Sequence, residues 1–298
     1  MYKQISANVR YTWGLIFVFI GLIIGLGFVF AQIYDNEWIL ILAIAISLIQ
    51  TFISYYYSDK IALMATGAVP ANRQNALELI RIVENLSITS GLPMPKVYLI
   101  PDKAPNAFAT GRDPQHASLA VTMGLLEKLN KTELEGVVAH EMSHIKNYDI
   151  RLMSVVVVLV GAIALMADWF LRMGYFFGDD DNRGGSQWTV LIGILLAILA
   201  PISATLIQLA VSRRREFLAD ADGALLTRYP EGLANALEKI STDQSQTKLK
   251  NRATAHLFIA SPFREDTKKS ARESWLTTVF STHPPIKERV KRLREMAR

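Results

Sequence analysis

The chain contains no cysteine. That absence excludes a disulfide framework, a thiolate metal site and a cysteine nucleophile, so any metal must be held by imidazole and carboxylate. Histidine is also scarce, with five in 298 residues. Charged residues make up only 20% of the chain, against 51% hydrophobic residues and a positive mean hydropathy of +0.22. That balance is too apolar for an ordinary soluble domain of this size and points to membrane spans. The net charge is +5, yet the basic residues cluster beside apolar stretches and form no groove with interleaved aromatics. A nucleic-acid partner is therefore not expected, and the lipid bilayer is.

What the chain does hold is a pentad, His140-Glu141-Met142-Ser143-His144. Histidines four apart on a helix project from one face, separated by a rise of about 6 Å, and can grip one metal ion. Glu141 is then placed to reach an activated water rather than the metal. The spacing predicts a helix over 131–146, with Thr132 as N-cap, Glu133 and Glu135 in the first turn, and Leu134, Val137 and Val138 on the apolar face. These residues indicate a zinc-dependent hydrolase with one Zn2+ per chain.

Four stretches are long enough to cross a bilayer, which takes about 20 apolar residues. They run over about 13–31, 38–57, 153–173 and 188–211. The first is too long, and lacks a cleavage site, for a removable signal peptide. Lys3, Arg10, Lys60, Lys146, Arg151 and Arg213 to Arg215 flank one set of span ends, while the connections at 34–37 and 178–187 are nearly free of Lys and Arg. By the positive-inside rule, both termini and the pentad face the cytoplasm of a multi-pass membrane protein. The expected domains are a membrane hairpin over 1–60, a cytoplasmic protease segment over 61–150, a second hairpin over 151–212 and a cytoplasmic segment over 213–298. The acidic run at 179–184 has Arg183 where a calcium loop needs a ligand, so it reads as a solvated turn.

Between the second and third spans, 75–90 reads as an amphipathic helix, and 96–100, 106–110 and 117–123 as strands. The fold class is thus an α+β integral membrane protein: four transmembrane helices and a zincin-like domain with a small β-sheet. In such an order an edge strand is suited to hold an extended polypeptide substrate by backbone hydrogen bonds. Beyond the fourth span, helices are expected over 216–227, 230–241 and 285–298, and the charged 242–252 and 264–274 have no assigned role.

Two histidines leave zinc short of its usual three protein ligands. Glu216 and Asp220 lie one turn apart, so one carboxylate can take the metal while the other supports a zinc histidine. On spacing alone, a surface pairing of Glu216 with Arg213 or Arg214 stands nearly level with ligation. The surrounding residues carry a resemblance that bears on the choice. Asn106-Ala107-Phe108-Ala109-Thr110-Gly111, the pentad running on through Asn147 and Asp149, Glu216-Phe217 with Ala219-Asp220, and Ser281-Thr282-His283-Pro284-Pro285 with Glu288-Arg289 together resemble the HtpX family of membrane-bound zinc metalloproteases, relatives of the CAAX prenyl proteases.

The resemblance implies that His140, His144 and Glu216 bind zinc, Glu141 is the general base, and Asp220 supports a ligand. It places Asn106, Ala107 and Phe108 along the substrate-binding sheet and lets His283 approach the reacting carbonyl; without it, His283 reads as a turn residue. It also implies quality control of misfolded or damaged membrane proteins under stress at the cell inner membrane, alongside other membrane quality-control proteases. The alternatives from other classes are an intramembrane protease and a scaffold with a vestigial metal site. His116 and His256 have no spacing to the pentad and read as surface or packing residues.

Overall fold

The computed structural model describes residues 2–177, 206, 212–243, 245, 247, 258–259 and 284–297. It opens with two long helices, α1 (Tyr2–Ile33) and α2 (Trp38–Tyr56), joined by a tight turn at Asp35, whose φ is 48°. Both are long and apolar enough to cross a membrane. They approach closely at Gly27, where a Cβ would fall 2.3 Å from that of Ala43. Small residues at such a crossing let apolar helices pack without help from water.

A short α3 (Ser58–Ala65) leads to β1 (Val69–Pro70), and α4 (Leu77–Ser90) follows. Helix α4 starts two residues later than the apolar spacing predicts. Asn72 and Asn75 hold a turn there, with the Asn75 side chain accepting from the Asn72 amide at 2.7 Å. Local amide bonding of this kind competes with helix. Gly91 then ends α4 in the left-handed conformation that favours glycine.

Strands β2 (Lys96–Ile100), β3 (Ala107–Gly111) and β4 (Ala117–Thr122) complete a four-stranded mixed sheet in the order β1-β2-β4-β3. Strand β2 runs parallel to β4, pairing Lys96 with Ser118, while β3 is antiparallel to β4, pairing Ala107 with Val121. Side chains alternate between faces, and here both faces are covered. Val97, Leu99, Ala107, Ala109, Leu119 and Val121 join one core cluster. Ile100, Phe108 and Ala120 join a second cluster with Ile16 and Phe19 of α1. The sheet is a partition between the α1–α2 hairpin and the globular part, and β3 is its edge.

After α5 (Met123–Lys128), the pentad helix α6 spans Lys131–Lys146, as its apolar spacing predicts. Its cap is Asn130, not Thr132. The Asn130 side chain accepts from the Glu133 amide at 3.0 Å, and Glu133 accepts from the Asn130 amide at 2.9 Å, a reciprocal capping box. Asn130 has the extended backbone a cap requires, and the Thr132 hydroxyl donates to it at 2.8 Å.

Helix α7 (Asp149–Phe177) covers the third expected span and turns away from α6 by 83°. The bend centres on Tyr148, whose φ of 60° is costly for a residue with a Cβ. Leu206 is buried and helical, but the rest of the fourth expected span and the 179–184 turn lie outside the described residues. Helices α8 (Arg213–Thr227), α9 (Pro230–Thr242) and α10 (Ile286–Met296) pack against α6 or one another and close the larger core.

Candidate metal centre

Helix α6 buries twelve residues between Glu133 and Ile145, His140, Glu141 and His144 among them. Helix α8 crosses it closely. A Cβ on Gly223 would lie 3.0 Å from the His140 amide nitrogen, so any larger residue would press the two helices apart by a few tenths of an ångström. The crossing brings Glu216 to the two imidazoles. His144 Nε2 lies 3.5 Å from Glu216 Oε1, His140 Nε2 lies 4.0 Å from Oε2, and the two Nε2 atoms are 3.2 Å apart. Arg213 and Arg214 are exposed while Glu216 is 1% exposed, which disposes of the surface-pair reading.

The other ring nitrogens are committed to carboxylates. His140 Nδ1 sits 3.0 Å from Asp220 Oδ1, and His144 Nδ1 sits 2.9 Å from Asp149 Oδ2. A buried carboxylate beside Nδ1 fixes the proton there and turns the Nε2 lone pair outward. Two lone pairs facing each other at 3.2 Å, with a carboxylate alongside, are repulsive unless a cation or a proton lies among them. The donor set suits zinc: two imidazoles and one carboxylate, with ligand atoms all within 4.8 Å of one another.

The same crowding splits the imidazoles' proton affinities. Burial, with Arg289 and His144 nearby, pulls His140 down to about 4 in spite of its Asp220 hydrogen bond. Burial also works against a charged His144, but Asp149 and Glu216 overcome it and raise that ring to about 9. Burial pushes the Glu141 carboxyl up to about 7, moderated by His144 and by a hydrogen bond from the Ala109 backbone.

An outer ring of buried charge, which the sequence reasoning did not assign, supports these residues. Arg289 of α10 is fully buried and forks onto Asp220, with Nη2 to Oδ1 at 2.6 Å and Nε to Oδ2 at 2.8 Å. Its Nη1 lies 3.6 Å from Glu216. This guanidinium holds the Asp220 carboxyl down at about 2 against its burial. On the other side, Asp149 Oδ1 accepts from Asn8 of α1 at 2.6 Å and lies 3.6 Å from Arg215 Nε. The bend at Tyr148 folds Asp149 back toward His144. Both Asp149 and Arg289 stand inside matched motifs, so their positions carried a signal; Asn8, near the start of α1, carried none.

Strand β3 lies beside α6, and several of its outward backbone groups are engaged. Ala107 O accepts from Ile259 N at 3.0 Å, the Ala109 amide serves Glu141, and Gly111 N donates to Ser154 Oγ at 3.1 Å. Asn106 is buried and paired to Thr122 through its amide at 2.8 Å. The Phe108 ring points to the opposite face, edge-on to Phe258 at 5.1 Å. Of the three expected substrate-contact residues, Ala107 is the one whose carbonyl accepts from outside the sheet, at Ile259. His283 and His256 lie outside the described residues, and His116 is a surface histidine 2.7 Å from Asp113.

Comparison with known proteins shows what the chain as a whole is similar to. Residues 73–297 match Peptidase family M48. The protein named "Protease HtpX homolog" from Tropheryma whipplei (strain Twist) is 45% identical over 299 residues, covering 99% of this chain and 98% of that relative. The protein of the same name from Pyrococcus furiosus is 45% identical over 289 residues, covering 95% and 94%. Among solved structures, the crystal structure of S. mikatae Ste24p superposes with a TM-score of 0.51 at 18% identity, covering 98% of this chain and 67% of that one. At that identity the likeness is one of fold.

Proposed function

The chain belongs to peptidase family M48 and is a membrane metalloprotease; from that premise we propose a zinc endopeptidase whose ligands are His140, His144 and Glu216. The observation that carries the assignment is the convergence of two Nε2 atoms on the Glu216 carboxylate, with both Nδ1 atoms held by Asp220 and Asp149. Bound there, zinc would supply Lewis acidity, polarising the scissile carbonyl and lowering the pKa of water.

The protein's own groups do the rest. Glu141, adjacent to the ligands and held by the Ala109 amide, accepts the proton of the attacking water and passes it to the leaving nitrogen. A carboxyl raised by burial toward neutrality suits both halves of that exchange. The edge of β3 around Asn106, Ala107 and Phe108 aligns the substrate backbone. His283, three residues before the start of α10, is the proposed partner of the reacting carbonyl.

Substrates are polypeptides, and we assign misfolded or damaged membrane proteins as the natural ones, cleaved at the cytoplasmic face. Two membrane hairpins, 1–60 and 151–212, would alternate with two cytoplasmic segments that share one metal centre. The bent pair α6–α7 favours a second reading, a site inside the bilayer within a broken span. Against it, α6 opens with Lys131, Glu133 and Glu135 and is enclosed by α4, α8 and α9.

Two experiments test this. Full-length Glu141→Gln protein should keep one zinc per chain by metal analysis and lose casein cleavage by about 10²–10⁴-fold, while His140→Ala and Glu216→Ala should lose the metal. Undiminished proteolysis by Glu141→Gln would end the assignment. Because the chain has no cysteine, Thr132→Cys is a single probe at an exposed position. A membrane-impermeant maleimide should reach it from the cytoplasmic side alone; protection from both sides would favour the buried-span reading.

A further inference from the structure

Where α2 ends and the sheet begins, a cavity of about 340 Å³ opens between Tyr55 to Lys60 and the leading ends of β2 and β4. Three permanent cations line it: Lys60, Lys96 and Arg112. The opposing charges are Asp59 in the lining and Asp113 behind it, the latter 3.5 Å from Arg112 and 2.7 Å from His116. Lys60 and Lys96 are exposed, and neither has a carboxylate partner among the described residues. Arg112 and Lys60 lie over the rings of Tyr56 and Tyr57 at 5.1 and 5.0 Å, which holds their charge at the cavity without neutralising it.

A second hollow of about 320 Å³ adjoins the first and runs down α2 among Trp13, Leu48 and Thr51. Phe52, Tyr55 and Tyr56 line both. Leu48 and Tyr56 are eight residues apart, about 12 Å of helix. The lower hollow is mainly apolar, with the phenol groups of Tyr55 and Tyr56 at the end it shares with the first. Lysines and aromatic rings are ordinary at the end of a membrane helix. A recess with three cations that shares its aromatic wall with an apolar groove is not.

We propose that the two hollows form one binding site for a single anionic phospholipid. The phosphodiester sits among Lys60, Lys96 and Arg112, the glycerol esters lie at Tyr55 and Tyr56, and an acyl chain follows Leu48 and Trp13. The excess of cations selects an anionic headgroup over a zwitterionic one, whose ammonium would meet Lys60 and Lys96 unfavourably. The apolar half selects a lipid over a soluble phosphoester. The site rests on the reading that α2 crosses a membrane.

The test uses the full-length metalloprotein in detergent micelles doped with equal amounts of phosphatidylglycerol and phosphatidylcholine, with bound lipid counted by native mass spectrometry. One phosphatidylglycerol should predominate. Each lysine removed should lower the phosphatidylglycerol-to-phosphatidylcholine ratio about fivefold, so Lys60→Gln/Lys96→Gln should lower it about 25-fold. Both positions are exposed and outside the metal centre, so zinc content and casein cleavage in undoped micelles should be unchanged, which shows that the variant is folded. Glycerol phosphate and inorganic phosphate at millimolar concentration should not displace the lipid.

Equal uptake of the two lipids, an unchanged ratio in the double variant, or displacement by inorganic phosphate would each overturn the site. Release of the chain from membranes by alkaline carbonate would instead overturn the membrane-crossing reading on which it rests.

Discussion

Helix α2 exposes Ile41, Leu42, Ile46, Leu48, Ile49 and Phe52, and the two residues it buries are Ser47 and Ser54. Helix α6 does the reverse: it buries Glu133, His140, Glu141, Ser143 and His144 among its apolar residues. In α2 the serine hydroxyls turn inward to carbonyls, Ser47 to Ile44 at 2.8 Å and Ser54 to Val155 at 3.4 Å. In α6 the buried charges face carboxylates and a guanidinium delivered by α7, α8 and α10. The difference shows that burial alone does not report what drives an element into place. Helix α2 is long and apolar enough to cross a membrane, and in that medium polar groups seek the protein. Around α6 the medium is the protein, so each charge needs a named partner.

This contrast can be broken most severely at Arg289. Arg289→Met would leave Asp220 and Glu216 buried without their guanidinium, and losing one partner of a buried ion pair costs about 3–5 kcal/mol. Thermal unfolding in detergent should fall accordingly, and metal content with it. A smaller loss should follow from charging the lipid-facing side of α2. Ile46→Arg, at a position 48% exposed, should cost about 2.5–3.5 kcal/mol in membrane insertion while leaving zinc stoichiometry intact in the protein that inserts.

Asp149→Asn sharpens the comparison from the other side, because it keeps the shape and removes the charge behind His144. Zinc affinity should drop about 10–100-fold by chelator competition, with the fold retained. Ser54→Ala should be the mildest, about 0.6 kcal/mol, since hydrogen bonds between membrane helices are worth little more than that. A Ser54→Ala effect as large as that of Arg289→Met would mean the two regions obey the same rule.

How much was legible follows the same line. The pentad helix, β2 over Lys96–Ile100 and the apolar hairpin helices are local patterns, readable from period and run length. Strand β1 is two residues long and exists only through pairing with Leu99 and Tyr98 of β2, so no local signal marks it. Thr132 and Asn130 each offer a capping oxygen. The choice fell to Asn130 because its geometry reaches Glu133.

The ring of Asp149, Arg289 and Asn8 is assembled by a bend and by contacts more than a hundred residues apart in sequence. Periodicity cannot reveal such meetings.

The Ile259 amide already occupies the Ala107 carbonyl, with Phe258 seated on Phe108 and Arg289 donating to the Ile259 carbonyl at 3.2 Å. If β3 is the strand that receives substrate, docking is an exchange: an incoming backbone replaces an internal tenant. Its observed dissociation constant then exceeds the intrinsic one by the inverse of the fraction of molecules in which that carbonyl stands free. Discrimination among polypeptides would turn on how readily each evicts two residues of the enzyme's own chain, a contest that a folded protein, with its strands already paired, is poorly equipped to win.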